Sequence, residues 1–280
     1  MTMSSLTRRV AAMGVLSLAP MSVLAALSDL NMPRGVTPIA HEAYFLHMLI
    51  LWICVAIAVV VFGAMFYSIL MHRRSRGFEP AKFHHSTKAE ILWTVVPCVI
   101  LLGMAIPATK GLVAIDDASE ADMTIKVTGY QWKWRYEYLD SGVSFYSSLS
   151  SMSRAAIHSG NVRDTPNYLL DVDNPVVIPV GKKVRMLLTS SDVIHAWWMP
   201  EFGIKKDAIP GFINEMWVRA DTPGTYRGQC AELCGKDHGF MPIVVEVKSQ
   251  AEYDAWVKQH KQARAVPEAP ADTVALAGAR

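Results

Sequence analysis

Five residues have side chains suited to holding a soft metal ion. Four of them, Cys230, Cys234, His238 and Met241, fall within twelve positions of the stretch Gly228-Gln-Cys-Ala-Glu-Leu-Cys-Gly-Lys-Asp-His-Gly-Phe-Met-Pro242. The fifth, His195, stands apart in Ser191-Asp-Val-Ile-His195-Ala-Trp-Trp198. Two thiolates, two imidazoles and a thioether select copper or zinc over magnesium or calcium. Zinc would take two cysteines and two histidines tetrahedrally and leave Met241 idle. A thioether beside thiolate and imidazole is the habit of electron-transfer copper. Two bridging thiolates, with one imidazole for each metal, could hold two coppers that share one electron. Against this stands a simpler account. Cys230 and Cys234 could form a disulfide in an oxidising compartment, with His238 a surface residue and Met241 core filling. A zinc- or disulfide-stabilised module of that kind would give Met241 no chemical role.

Such a loop needs a rigid frame. After Asp122 the chain breaks into short β-rich runs: 124–127, 132–138, 176–180, 184–189, 213–218 and 243–247. Turn residues separate them, as in Asp173-Asn-Pro175, Ile209-Pro-Gly211 and Thr222-Pro-Gly224. This pattern predicts a β sandwich or barrel over 116–250, with His195 at the end of a strand. The Ser-rich stretch 141–167 reads as an inserted loop. A short amphipathic helix is expected over 250–262. The Ala/Pro-rich tail beyond it is expected to be disordered.

The first third has a different character. The 280-residue chain is 51% hydrophobic and only 19% charged, which excludes a disordered polymer. Its mean hydropathy of +0.21 points to apolar residues gathered into membrane spans. Arg8-Arg9, the uncharged run 10–27 and Leu24-Ala-Ala26 have the layout of a bacterial secretory signal over 1–26. No Asp, Glu, Lys or Arg occurs from 43 to 71, nor from 91 to 109, so two spans are expected within a hairpin over 27–115. The link 72–90 carries Arg73, Arg74, Arg76, Lys82 and Lys88 against Glu79, which places it in the cytoplasm and both outer ends outside. Cys54 and Cys98 lie in the spans and read as small hydrophobes. A net charge of +2 gives no basis for nucleic-acid binding, and four cysteines are too few for a disulfide scaffold.

The spacing Cys230-x3-Cys234-x3-His238-x2-Met241 resembles the dinuclear copper A motif of the cytochrome c oxidase subunit II family. Gly129-Tyr-Gln-Trp-Lys-Trp-Arg-Tyr-Glu-Tyr138 resembles that family's aromatic segment, and Lys206-Asp-Ala-Ile-Pro-Gly211 its central turn. The two-span hairpin also fits, so the likeness covers roughly 35–258. It implies a Greek-key cupredoxin-like barrel behind a transmembrane hairpin, in the bacterial inner membrane with the copper domain in the periplasm. It implies copper on the side chains of His195, Cys230, Cys234, His238 and Met241, and on the backbone carbonyl of Glu232. The Glu232 carboxylate would reach a magnesium or manganese ion at the subunit I boundary. Trp132 would take electrons from reduced cytochrome c. Glu137, Asp140, Asp173 and Asp192 match positions lining the docking face for a basic cytochrome c, although Lys133 and Tyr130 depart from the common Tyr and His.

The implied activity is that of an oxidoreductase and translocase subunit. Electrons would pass to haem in subunit I, where oxygen is reduced to water and protons are pumped, with subunit III a further partner. From the residues alone, Trp132 reads as core, because aromatics at 130, 132 and 134 would share one strand face. Glu90 matches a carboxylate at the mouth of a proton channel, and Thr87-x-x-Glu90 also reads as a capping box. No Cys-x-x-Cys-His occurs, so the chain carries no covalent haem and the cytochrome is a separate protein. A quinol oxidase subunit of the same fold would lack the copper ligands. A membrane-anchored periplasmic copper carrier or sensor is the remaining alternative, against which the aromatic segment and the long hairpin speak.

Overall fold

The computed structural model describes residues 30–77, 79 and 82–265. The signal expected over 1–26 and the tail beyond Ala265 lie outside the described residues. The chain divides into two compact units. One is helical and takes in residues 41–108; the other is the β domain, from 109 onward together with 36–40.

The helical unit holds most of α1 (Pro38–Met71) and α2 (Thr87–Asp116). At 1.5 Å per residue, 34 residues extend about 50 Å, more than the ~30 Å hydrocarbon layer. Both helices are long and apolar enough to cross a membrane, and neither buries its apolar window within the chain. Trp52, Trp93, Cys54 and Cys98 are exposed on their surfaces. The exposed state of the two cysteines differs from a buried core role. Among lipid tails, a small apolar side chain needs no protein cover. Pro97 and Pro107 sit inside α2, as a membrane helix tolerates. The link is shorter than expected. A single 3-10 turn, Arg74–Arg76, follows α1, and α2 already begins at Thr87. Thr87 is therefore the first helical residue rather than the cap before it, while Glu90 remains in the first turn.

The β domain consists of two five-stranded mixed sheets. Its strands are β1 (Met123–Tyr130), β2 (Lys133–Tyr138), β3 (Ser144–Ser147), β4 (Val176–Pro179), β5 (Val184–Ser190), β6 (His195–Met199), β7 (Ile204–Ala208), β8 (Asn214–Val218), β9 (Gly224–Cys230) and β10 (Pro242–Lys248). The orders are β3-β2-β1-β5-β8 and β4-β10-β9-β6-β7, with parallel pairs β1–β5 and β10–β4. Alternation sets the core. In β2, Trp134, Tyr136 and Tyr138 face inward while Lys133, Arg135 and Glu137 face outward. In β5, Val184, Met186 and Leu188 do the same. Side chains from both sheets join in one cluster that reaches Cys230, Cys234 and Met241.

Four strands have weaker sequence signals. β7 is an edge strand whose two lysines give no apolar alternation, and β9 is rich in Gly, Thr, Arg and Gln. His195 opens β6 rather than ending a strand. The stretch read as a loop instead contains β3 and a helix, α3 (Ser151–Ser159). Ser150 caps it by accepting from the Ser153 N–H, and Gly160 ends it in the left-handed region. The last helix, α4, spans Gln250–Ala265, three residues beyond expectation. Its Tyr253, Trp256 and Val257 pack on the core beside Tyr138 and Phe145.

One side chain ties the sheets together. The Tyr138 hydroxyl donates to the Val177 carbonyl and accepts from the Val177 N–H, both at 2.9 Å. Removing a buried hydroxyl leaves both backbone groups unpaired. Tyr138→Phe should destabilise the domain by about 1–3 kcal/mol in urea unfolding followed by tryptophan fluorescence. A loss below about 0.5 kcal/mol, the range of ordinary surface changes, would show that the bridge contributes little.

Candidate metal centre

β6 and β9 are neighbours, and this adjacency assembles the site. His195 opens β6, Cys230 closes β9, and the register pairs Trp197 with Cys230. The strands approach closely because Gly228 has no side chain: a Cβ there would stand 2.0 Å from the Trp198 carbonyl oxygen. Beyond Cys230 the chain loops out and returns to β10. The loop is closed at its base by a bond from the Cys230 N–H to the Met241 carbonyl (3.0 Å), and the Ala231 N–H donates to Ala196 (3.0 Å).

The donor atoms converge. The Cys230 and Cys234 sulfurs are 3.8 Å apart with no bond between them. His195 Nδ1 lies 3.9 Å from the Cys230 sulfur, and His238 Nδ1 lies 3.5 Å from that of Cys234. Donor atoms of His195, Cys230 and Cys234 all fall within 4.8 Å of one another. The Glu232 carbonyl oxygen is 3.4 Å from the Cys230 sulfur, while the Glu232 side chain is exposed. His195, Cys230, Cys234 and Met241 are all buried. The disulfide account does not describe this pocket. Two thiols, each beside its own imidazole, are a donor set suited to soft cations, and the residues fit copper.

The charge state of the pair carries the same message. Burial pushes the Cys230 thiol up, but hydrogen bonds with His195, with main-chain groups of Ala196 and Glu232, and with His238 outweigh it and bring it to about 7. Cys234 is pushed up to about 12, by burial and then by the neighbouring Cys230 thiolate. Burial lowers His195, yet its bonds to Cys230 and Asp192 leave it raised overall. A cation between the sulfurs reverses the penalty on the second thiolate.

The surroundings fix the His195 ring. The His195 ring lies 5.8 Å, edge to face, from Trp134. Its other nitrogen, Nε2, is 2.9 Å from Asp192 Oδ1. A Cβ on Gly129 would come 2.7 Å from His195 Cδ2, so only glycine leaves room for the ring. Gly235, at φ +121°, likewise sits against Gln131 and Trp132.

Two family models match the chain. "Cytochrome C oxidase subunit II, periplasmic domain" covers residues 123–248, and "Cytochrome C oxidase subunit II, transmembrane domain" covers 25–110. A probable cytochrome c oxidase subunit 2 from Rickettsia bellii is 42% identical over 221 residues, 79% of this chain and 80% of that protein. The chain belongs to the cytochrome c oxidase subunit II family. It is thereby a subunit of an oxidoreductase complex, a membrane protein and a member of a copper-binding family. Subunit 2 of the Cereibacter sphaeroides oxidase is 39% identical over 80% of this chain and 77% of its own length. The periplasmic domain of subunit II of the Bradyrhizobium japonicum cytochrome oxidase is 44% identical, covering 52% of this chain and 98% of that one, with a TM-score of 0.46.

Of the other expected residues, Trp132 and Asp192 lie against the site and the rest lie elsewhere. Trp132 does not lie in a strand, although it packs, partly buried, against the edge of the core. It occupies the turn between β1 and β2, half-buried, and donates from Nε1 to the Cys234 carbonyl at 3.2 Å. Lys236 Nζ stands 5.7 Å from its ring centre. Glu137 is held between Arg135 (3.0 Å) and Lys126 (3.6 Å). Asp140 accepts from the Thr124 N–H, and Asp173 from those of Ser148 and Asn174. Asp192 turns toward His195. Glu90 belongs to the helical unit. Gly129 and Gln131 were missed as site residues. Only their place in the aromatic segment could have signalled them, since a backbone approach leaves no chemical type to recognise.

Two outcomes follow for the site. Gly129→Ala should lower copper affinity about 10- to 100-fold in chelator competition, with the domain still folded. Unaltered affinity would mean that His195 accommodates the methyl group. For pH, Cys230 is already a thiolate above about 7, so metal loading there displaces mainly the Cys234 proton. Below that pH both protons must leave. Apparent copper affinity should therefore fall more steeply with acidification below about pH 7 than above it, whereas a uniform slope from pH 6 to 8.5 would contradict the assignment.

Proposed function

We propose that the β domain, taken as residues 116–250, is the electron-accepting module of a respiratory haem-copper oxidase and holds a dinuclear copper A centre. The supporting observation is the pair of buried sulfurs 3.8 Å apart, each beside a different imidazole. The side chains of His195, Cys230, Cys234, His238 and Met241 and the carbonyl of Glu232 would hold the metal. Bound there, two copper ions supply one-electron redox chemistry in a site whose geometry changes little.

The chain's own residues do the rest. Trp132 presents part of its indole to solvent and is hydrogen bonded to the residue that carries one sulfur. That bond gives a short route from a docked cytochrome c to the centre. The sheets exclude water from His195, Cys230 and Cys234. Electrons would leave toward haem in subunit I, where oxygen is reduced to water and protons are pumped, with subunit III a further neighbour. The exposed Glu232 carboxylate is free to meet a magnesium or manganese ion shared with subunit I. The hairpin, with spans at 43–71 and 91–109, anchors the domain in the inner membrane of a bacterium after removal of a signal over 1–26. The domain would lie in the periplasm and the basic link in the cytoplasm. Glu90, at the start of α2, would stand at the mouth of a proton channel. Glu137, Asp140 and Asp173 would contribute negative charge to the docking face.

The test is Trp132→Gln in the assembled oxidase. Stopped-flow electron uptake from reduced cytochrome c should collapse while copper content stays at the parent value. Uptake at the parent rate would move the point of electron transfer elsewhere on the domain.

A further inference from the structure

Charges of opposite sign flank the turn that carries Trp132. Asp192 is an exposed carboxylate in the loop after β5, and its Oδ2 accepts the Gln131 N–H at 2.7 Å. Lys133 opens β2 and places its Nζ 4.5 Å from the centre of the Tyr146 ring in β3. Lys236, exposed in the metal loop, stands over the indole itself, 5.7 Å from its centre. The sheet order β3-β2-β1-β5 keeps Lys133 and Asp192 apart, because β2 and β3 lie on one side of β1 and the loop bearing Asp192 on the other.

Neither ammonium is paired with a carboxylate among the described residues. The neighbouring Arg135, by contrast, meets Glu137 at 3.0 Å, and Glu137 also meets Lys126 at 3.6 Å. Lys133 and Lys236 rest against aromatic rings, which hold a cation in place without cancelling its charge. Leu233, next to the residue whose carbonyl accepts from the indole, is exposed. The surface at Trp132 thus joins an apolar centre to a charged rim, the make-up of a protein contact.

We propose that Lys133 and Lys236 are specificity-determining residues for the electron donor. They select a donor whose face around its exposed haem edge carries both signs, with lysine toward Asp192 and a carboxylate toward Lys133 and Lys236. The proposal rests on the copper reading above, with Trp132 as the acceptor of electrons. A donor ringed on all sides by lysine would set like charges against both ammonium groups, which weakens docking and slows encounter. A donor with one acidic arc meets the boundary in a single orientation.

The test uses the full-length chain assembled in its oxidase and a recombinant basic cytochrome c whose haem edge is ringed by lysines. Each of those lysines is changed singly to glutamate, and kcat and KM are measured at low and high salt. With the parent oxidase, glutamate along one arc of the ring should lower KM about 2- to 10-fold, and along the opposite arc raise it by a similar factor. With Lys133→Glu or Lys236→Glu, that favourable arc should lose its advantage, and the unmodified cytochrome c should show a lower KM than with the parent. These differences should vanish at about 1 M salt, where screening acts within about 3 Å. Lys258→Glu is the control, the same change of charge on α4, whose Trp256 packs on Tyr138 at the far end of β2. It should leave KM near the parent value for every donor. A KM that rises for glutamate all around the ring, or shifts with Lys133→Glu and Lys236→Glu no larger than with Lys258→Glu, would overturn the proposal. If Lys133→Glu does not assemble, the exposed Lys236→Glu decides alone by the same criteria. Failure of the underlying reading looks different, since the parent chain itself would then hold no copper pair or Trp132→Gln would take up electrons normally.

Discussion

Two cysteine sulfurs 3.8 Å apart in a buried pocket form an arrangement that protein side chains alone disfavour, because the second proton can scarcely leave beside the first thiolate. The rest of the domain can be understood as the means of holding that pair. β6 and β9 must be adjacent, so that His195 and Cys230 emerge side by side. Gly228 allows the two backbones to approach. The Cys230–Met241 main-chain bond closes the loop, which brings Cys234 and His238 back over the strand ends. A cation would make the close sulfurs favourable, and thiolates and imidazoles with a thioether nearby suit copper.

Around this centre lies a second set of constraints, made of backbone space and hydrogen bonds rather than ligands. Gly129 leaves room for the His195 ring, and Trp134 backs it. Asp192 and Gln131 link the ring and the Cys234 carbonyl to the turn bearing Trp132. On the proposed reading, metal holding and electron delivery would share one network. An electron donor would then need to reach only the exposed part of Trp132. The apolar helices are long enough to anchor the chain in a membrane. The chemistry is in the half of the chain with the less unusual composition.

Much of this was legible in the sequence because certain residues leave strong periodic or chemical signals. Lys133 to Tyr138 alternate so cleanly that β2 and its inward aromatics could be read directly, and the Cys-x3-Cys-x3-His-x2-Met spacing announced a soft-metal loop. β7 and β9 were hidden because an edge strand with two lysines and a Gly/Thr/Arg/Gln strand have no apolar alternation. α3 was hidden in a Ser-rich stretch whose Ser150 cap and Gly160 stop resemble loop composition. Trp132 packs against the core from a turn and not from a strand face, because the turn interrupts the strand after Tyr130, which alternation alone cannot show. Asp192 was matched to a docking role and is exposed; its bonds to His195 and Gln131 depend on the loop before β6 meeting the β1–β2 turn, a tertiary fact with no local sequence signature.

On the proposed function, this donor set holds two coppers as a single redox centre. Electron paramagnetic resonance of the copper-loaded full-length chain, combined with copper quantification, tests it most directly. Two coppers per chain are expected, with one unpaired electron shared evenly between two copper nuclei. A signal from a single isolated copper, or a stoichiometry of one, would contradict it.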